Sequence, residues 1–208
     1  LQKHTTGNAT GVPEKIKTSI VLAHIRETPR ALVGLVAVAV GHIAMVSVMV
    51  MTPVHMKHVD VSLTIIGFVL SVHVAGMYSL SPIIGRASDR FGRVRVIQVG
   101  VLILLSSTVI AGTAPANSST QLGIGLFLLG LGWSCTLIAG STLLTESISD
   151  DIRPNAQGAT DLVMNLSGAG GGAFAGIIIA TLSYGWLCGL AAIPVAILGL
   201  MTLRKVVK

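Results

Sequence analysis

Six apolar runs, at residues 31–53, 62–84, 96–113, 122–144, 158–182 and 186–203, constrain this chain more than any other feature. Each approaches the ~20 residues that a helix needs to cross a hydrocarbon core about 30 Å thick. Helices packed inside a large soluble protein would show a charged face at the helical period, and these runs show none. Membrane barrel strands would be about ten residues long with alternating polarity, which leaves helical spans as the reading. Composition agrees: 52% of the residues are hydrophobic, 11% are charged and mean hydropathy is +0.83, whereas soluble domains carry about a quarter charged residues. The 24 glycines fit membrane helices, where small residues let backbones approach closely. The expected fold is all-α, a polytopic bundle of six transmembrane helices over residues 31–205. Residues 1–30 read as a polar linker in which residues 14–25 fit a short amphipathic surface helix.

Charge gives the orientation. Lys3, Lys15, Lys17, Arg26, Arg30, Arg86, Arg90, Arg93, Arg95, Arg153, Arg204, Lys205 and Lys208 all fall on one side; of the 14 Lys and Arg residues only Lys57 falls on the other. The positive-inside rule then places both termini in the cytoplasm and the chain in the cell membrane. The formal charge of +6 reflects this asymmetry rather than a nucleic-acid face, which would interleave aromatics with its basic residues. Cys135 and Cys188 both lie in apolar runs and read as small buried thiols. The chain opens on Leu1 rather than Met and has no signal-peptide pattern, so it reads as a fragment. Asn117-Ser118-Ser119 matches a glycosylation acceptor, but such triplets also start at Asn8 and Asn165, and chance accounts for all of them.

The connection after the second run reads Gly85-Arg86-Ala87-Ser88-Asp89-Arg90-Phe91-Gly92-Arg93-Val94-Arg95. Glycine at both ends predicts a tight, non-helical turn between antiparallel helices, and the arginines would hold it at an anionic surface. Asp89 can pair with a neighbouring arginine or with the positive N-terminus of another helix. The connection resembles the signature loop of the major facilitator superfamily, G-x-L-x-D-R-x-G-R-[KR], at Gly85, Asp89, Arg90, Gly92 and Arg93. Ala87 replaces the leucine and Val94 the second basic residue, departures that resemble the copy of the loop between the eighth and ninth helices. The resemblance implies the C-terminal half of a secondary active transporter that moves a small molecule by alternating access, with proton coupling and drug or metabolite efflux expected. It implies an N-terminal six-helix half as partner, surrounding membrane lipid and a small-molecule substrate, and it makes Asp89 a gate latch. No enzyme activity, cofactor, metal or nucleic-acid partner is expected. The stretch 146–158 is similar to the acidic-to-arginine connection before the eleventh helix of that superfamily. From it we expect a cytoplasmic charge network of Glu146, Arg153 and Asp161. Asp161, ~6 Å inside its span, would pair with Arg153 or with an arginine of the other loop, unless it is simply a helix-terminal charge reaching water.

Polar residues are unevenly shared among the spans. The first, second, fourth and fifth carry His42, Ser47, Ser71, His73, Ser79, Ser134, Thr136, Ser141, Asp161 and Asn165; the third has as evident polar groups only Gln98 together with Ser106, Ser107 and Thr108, whose hydroxyls can bond their own backbone, and the sixth only Thr202. In the superfamily the corresponding third and sixth helices sit away from the cavity. His42 and His73 each lie about 16 Å deep, near the midplane, where a histidine can relay a proton or meet a substrate. With Asn165 they are candidates for a cavity or proton relay. Two neutral histidines bonded between helices are the simpler reading of the same residues. A soft-metal site adding Met45, Met49, His55, Met56 and His58, or a haem held by His42 and His73 in a redox subunit, are others. A stand-alone structural membrane protein is a further alternative. Gly168, Gly172 and Gly176 form two small-xxx-small steps, and Gly67, Ser71, Ala75 and Ser79 a second stripe; both are expected to pack helices closely.

Overall fold

The computed structural model describes residues 18–203. Its helices are α1 (Thr18–Glu27), α2 (Pro29–Lys57), α3 (Leu63–Tyr78), α4 (Ser81–Phe91), α5 (Arg93–Gly112), α6 (Ser119–Glu146), α7 (Arg153–Thr181) and α8 (Tyr184–Thr202). Six candidate spans result among the described residues, with α3 and α4 together forming the second. The chain is therefore a multi-pass membrane protein with an all-α fold. Of the amphipathic segment expected at residues 14–25, the described part belongs to α1. This helix buries Val21 and Ile25 against Ala31, Leu144, Ile148, Ala156 and Ala159. It is thus docked on the ends of α2, α6 and α7.

α6 is the hub. It packs most extensively on α5, then on α2 and α3; α2 in turn packs on α7 and α8, and α5 on α8. The order α7–α2–α6–α3 forms one layer, and α8 and α5 lie behind its middle. Close approach of backbones makes this possible. A Cβ on Gly34 of α2 would sit 2.5 Å from the Gly140 carbonyl oxygen of α6, and one on Gly130 of α6 would sit 2.5 Å from the His73 carbonyl oxygen of α3. The expected stripes play a smaller part. On α7, Gly168 and Gly171 are tight against α2, Gly172 makes ordinary contact, and Gly176 and Gly170 face open space. Gly67 of α3 is also open. The closest backbone-to-backbone approaches are those of Gly34, Gly76 and Gly130, where α2 and α3 cross the hub.

The second span is broken. Pro82 has no N–H to offer the Tyr78 carbonyl, so α3 ends at Tyr78 and α4 begins afresh at Ser81. The Ser81 hydroxyl donates back to the Met77 carbonyl at 3.1 Å. The expected non-helical turn at residues 85–93 shrinks accordingly: residues 85–91 are helical in α4, and the chain reverses at Gly92 alone, with φ +94° and ψ 147°. That positive φ is the conformation in which a side chain is strained. Gly85 lies inside the helix with nothing within 4 Å of a Cβ built there.

Candidate functional site

The spans expose two chemically different surfaces. On α8 the large exposed side chains are Trp186, Leu190, Ile193, Ile197, Leu200 and Leu203, and on α5 they include Val99, Leu102 and Val109. On the other side, α3 exposes Thr64, Ser71 and Tyr78, seven residues apart and hence on one face, and α7 exposes Asp161 and Asn165 among apolar neighbours. The first surface is predominantly apolar; the second sets these polar residues among exposed Leu63, Phe68, Val74, Leu166 and Ile177.

Between the α3 and α7 flanks, α2 and α6 contribute His42 and Trp133. The indole Nε1–H donates to His42 Nδ1 at 3.1 Å, which leaves the neutral imidazole its proton on Nε2. The two rings lie 6.2 Å apart at 43°, and Tyr78 meets Trp133 edge-on at 6.1 Å and 83°. A Cβ on Gly168 of α7 would come 2.6 Å from His42 Cδ2, so the glycine makes room for the imidazole. His42, Tyr78, Trp133 and Gly168 each stand within about a residue of the middle of their spans. A belt of rings therefore crosses the inner layer at mid-depth. Beside it Ser81 and Ser134 hydroxyls meet at 3.2 Å.

His73 takes a different position from the one expected. It is fully buried, its Nδ1–H donates to the Leu126 carbonyl of α6 at 2.7 Å, and its Nε2 is sealed without a partner. Its helical face is that of Ile66, Val69, Gly76 and Met77, the face α3 buries. The two histidines thus serve different surfaces, and each commits a ring nitrogen to α6. Asn165 donates to the Asp161 carbonyl of its own helix at 2.7 Å. The α5 hydroxyls are likewise self-satisfied: Ser106, Ser107 and Thr108 donate to Leu102, Leu104 and Leu105 carbonyls.

At the arginine-rich end, Arg93 opens α5 and ties two other helices to it. Its Nη1 meets Asp89 Oδ1 of α4 at 2.5 Å, and its Nη2 and Nε donate to the two carboxylate oxygens of Glu146, the last residue of α6, at 2.8 and 3.3 Å. The two-pronged geometry on Glu146 is specific to a guanidinium. The reversal at Gly92 aims Arg93 at both carboxylates. Arg86 and Arg90 stay exposed, with the Arg90 guanidinium 5.5 Å from the centre of the Phe91 ring.

Glu146, Arg153 and Asp161 do not form the expected network among the described residues. Arg153 pairs instead with Asp150 at 2.5 Å and donates from Nε to the Thr145 carbonyl at 3.0 Å. Arg153 and Asp161 share α7 but stand about 12 Å apart along its axis, too far for a direct pair. Asp161 has no ion-pair partner among the described residues; it faces a cleft of about 340 Å³ lined by Ser141, Thr145, Gln157 and Thr160. Outside the spans, the Ser149 hydroxyl holds the Asp151 carboxyl below its usual range. Sequence reasoning missed Trp133, although it is one of 2 tryptophans and stands mid-span. It also missed the tie at the opposite end, where Tyr184 of α8 shares a 2.8 Å hydrogen bond with Thr52 and stacks on His55 at 4.3 Å.

Residues 33–207 match the family model described as Major Facilitator Superfamily. The chain is 38% identical over 172 residues to the uncharacterized MFS-type transporter YddS of Bacillus subtilis, covering 80% of this chain and 39% of that protein. It is 39% identical over 181 residues to YdeG of the same organism, also an uncharacterized MFS-type transporter, covering 84% of this chain and 42% of the relative. Over 165 residues it is 27% identical to the riboflavin transporter RfnT of Brucella anthropi, covering 79% and 40%. The chain thus spans about two fifths of the length of the curated relatives it matches.

Proposed function

Since the chain belongs to the Major Facilitator Superfamily, we propose that it forms one six-helix half of a secondary active transporter that moves a small molecule across the cell membrane by alternating access. Its partner is an N-terminal six-helix half, and the arginine-rich side of the bundle, with both termini, faces the cytoplasm. The observation that carries this reading is the set of exposed polar residues on α3 and α7, Thr64, Ser71 and Tyr78 with Asp161 and Asn165, flanking the mid-depth His42–Trp133 pair. Paired with a second half, the face that bears them becomes one wall of a closed path, while the apolar surface of α8 and α5 remains toward lipid.

In this reading Asp89, Arg93 and Glu146 are the latch. The ionic contact fixes the α4–α5 elbow to the end of α6, and rocking of the halves exchanges it for contacts across the seam. His42 supplies the titratable group for proton coupling: it sits on the wall with one nitrogen held by Trp133 and the other free to exchange a proton. Efflux of a drug-like or metabolite molecule is the expected direction, in a family whose relatives here include a riboflavin transporter and a protein named for multidrug resistance. The test is Asp89→Asn in the complete protein in proteoliposomes. Transport falls several-fold while the amount of inserted, folded protein is unchanged. Wild-type kinetics in the variant would remove the latch from the account.

A further inference from the structure

Resting on the transporter reading, we infer that the His42–Trp133–Tyr78 belt is a stacking shelf, and that the substrate is a flat, π-rich organic molecule with a hydrogen-bond acceptor on its edge. Tyr78 is the platform. It is 60% exposed, at the end of α3, on the same face as Thr64 and Ser71, and so presents its ring to the path rather than to the packed core. Trp133, only 6% exposed, is a positioning residue: Tyr78 rests edge-on against it from one side, and its Nε1–H fixes His42 from another.

The three rings come from three helices and meet at one depth. Packing alone would be served by aliphatic side chains, and aromatic residues make up only 4% of this chain. His42 supplies the edge contact. Because Nδ1 accepts from Trp133, the neutral ring carries its proton on Nε2. That atom has no hydrogen-bond partner among the described residues and, unlike His73 Nε2, is not among the sealed ones. A carboxylate or carbonyl on the rim of a stacked ring is the acceptor this donor calls for. The break at Pro82 lies directly below the shelf, with the Ser81 and Ser134 hydroxyls beside it, so the platform stands where the second span hinges.

A pair of probes with one carbon skeleton tests the inference: 2-naphthoate, which is flat and aromatic, and decahydro-2-naphthoate, which carries the same charge but is puckered and has no π electrons. Binding of each to the complete protein in nanodiscs is measured by equilibrium dialysis, with Tyr78→Ala, Tyr78→Phe and His42→Ala beside the wild type. Stacking and its loss predict 2-naphthoate binding roughly five- to tenfold more tightly than the saturated acid. Tyr78→Ala abolishes that preference and Tyr78→Phe keeps it. His42→Ala weakens binding of both acids, since it removes the shared acceptor contact. Equal binding of the two acids, failure of both to bind, or a preference that survives Tyr78→Ala overturns the shelf. Uptake of labelled 2-naphthoate into proteoliposomes separates the two readings. Preferential binding without uptake in any gradient leaves the shelf standing and overturns transport of such molecules; uptake of both acids at equal rates does the reverse.

Discussion

The outward surfaces of α8 and α7 make an instructive pair, because both helices are long, apolar and rich in small residues, yet they solve different problems. α8 turns Trp186, Leu190, Ile193, Ile197 and Leu200 outward and buries its one interior threonine, Thr202. α7 is the least buried of the spans and turns Asp161 and Asn165 outward among Leu162, Leu166, Phe174 and Ile177. Asp161 sits on the arginine-rich side of the middle of α7, so its carboxylate calls for water or a polar partner at that end of the span. α7 and the α3–α4 span are the most open of the described spans, and in the proposed two-half transporter they are the helices that the second half covers.

The contrast can be broken most forcefully by exchanging the chemistry of the two surfaces. Ile193→Arg places a charge at the centre of the lipid-facing side of α8 and is expected to cost about 3 kcal/mol of insertion free energy, read as lost span insertion in a glycosylation-mapping assay. Asn165→Arg, two residues from the middle of α7, leaves insertion of the complete protein close to wild type. Equal losses at the two positions would erase the distinction between the surfaces.

A second comparison separates the hub from the open flanks. Gly34→Val drives a side chain into the α6 backbone at Gly140, and overpacking of this kind costs about 1–3 kcal/mol. Gly67→Ala on the open face of α3 meets nothing within 4 Å and is expected to be neutral or to gain about 0.5 kcal/mol from the lost flexibility of glycine. Thermal unfolding in detergent, followed for both variants, gives the difference. Arg93→Lys tests the elbow: it keeps the charge and loses the fork on Glu146. With Asp89 and Glu146 half or more exposed, the stability lost is about 1 kcal/mol or less, and it shrinks further in high salt. Smallest of all is Ser106→Ala on the lipid side of α5, whose hydroxyl bonds only the Leu102 carbonyl; a change within about 0.5 kcal/mol is expected.

The bundle was legible in the sequence because run length and the segregation of arginine depend on the membrane, not on tertiary detail. The family was legible at Gly85, Asp89, Arg90, Gly92 and Arg93. Other features needed the packing. Hydropathy runs continuously through Ser79–Ser81, so the break of the second span hid behind an apolar average, although Pro82 announced it. The face of His73 could be read only by setting it with Ile66, Val69 and Met77. Glycine steps drew the eye to Gly172 and Gly176, whereas the tight crossings involve Gly34, Gly130 and Gly140, where the partner helix decides. The Arg93–Glu146 pair joins residues 53 apart, and no local pattern predicts it.

Cysteine labelling tests the central claim most directly. In the complete protein with Cys135 and Cys188 replaced by serine, single cysteines are placed at Ser71 and Asn165 on the inner layer and at Ile193 and Ile197 on α8, and each is exposed in membranes to a water-soluble thiol reagent. The account predicts rapid labelling of the first two, slowed by bound substrate, and no labelling of the last two. Labelling of the α8 positions with protection of Ser71 and Asn165 would contradict it.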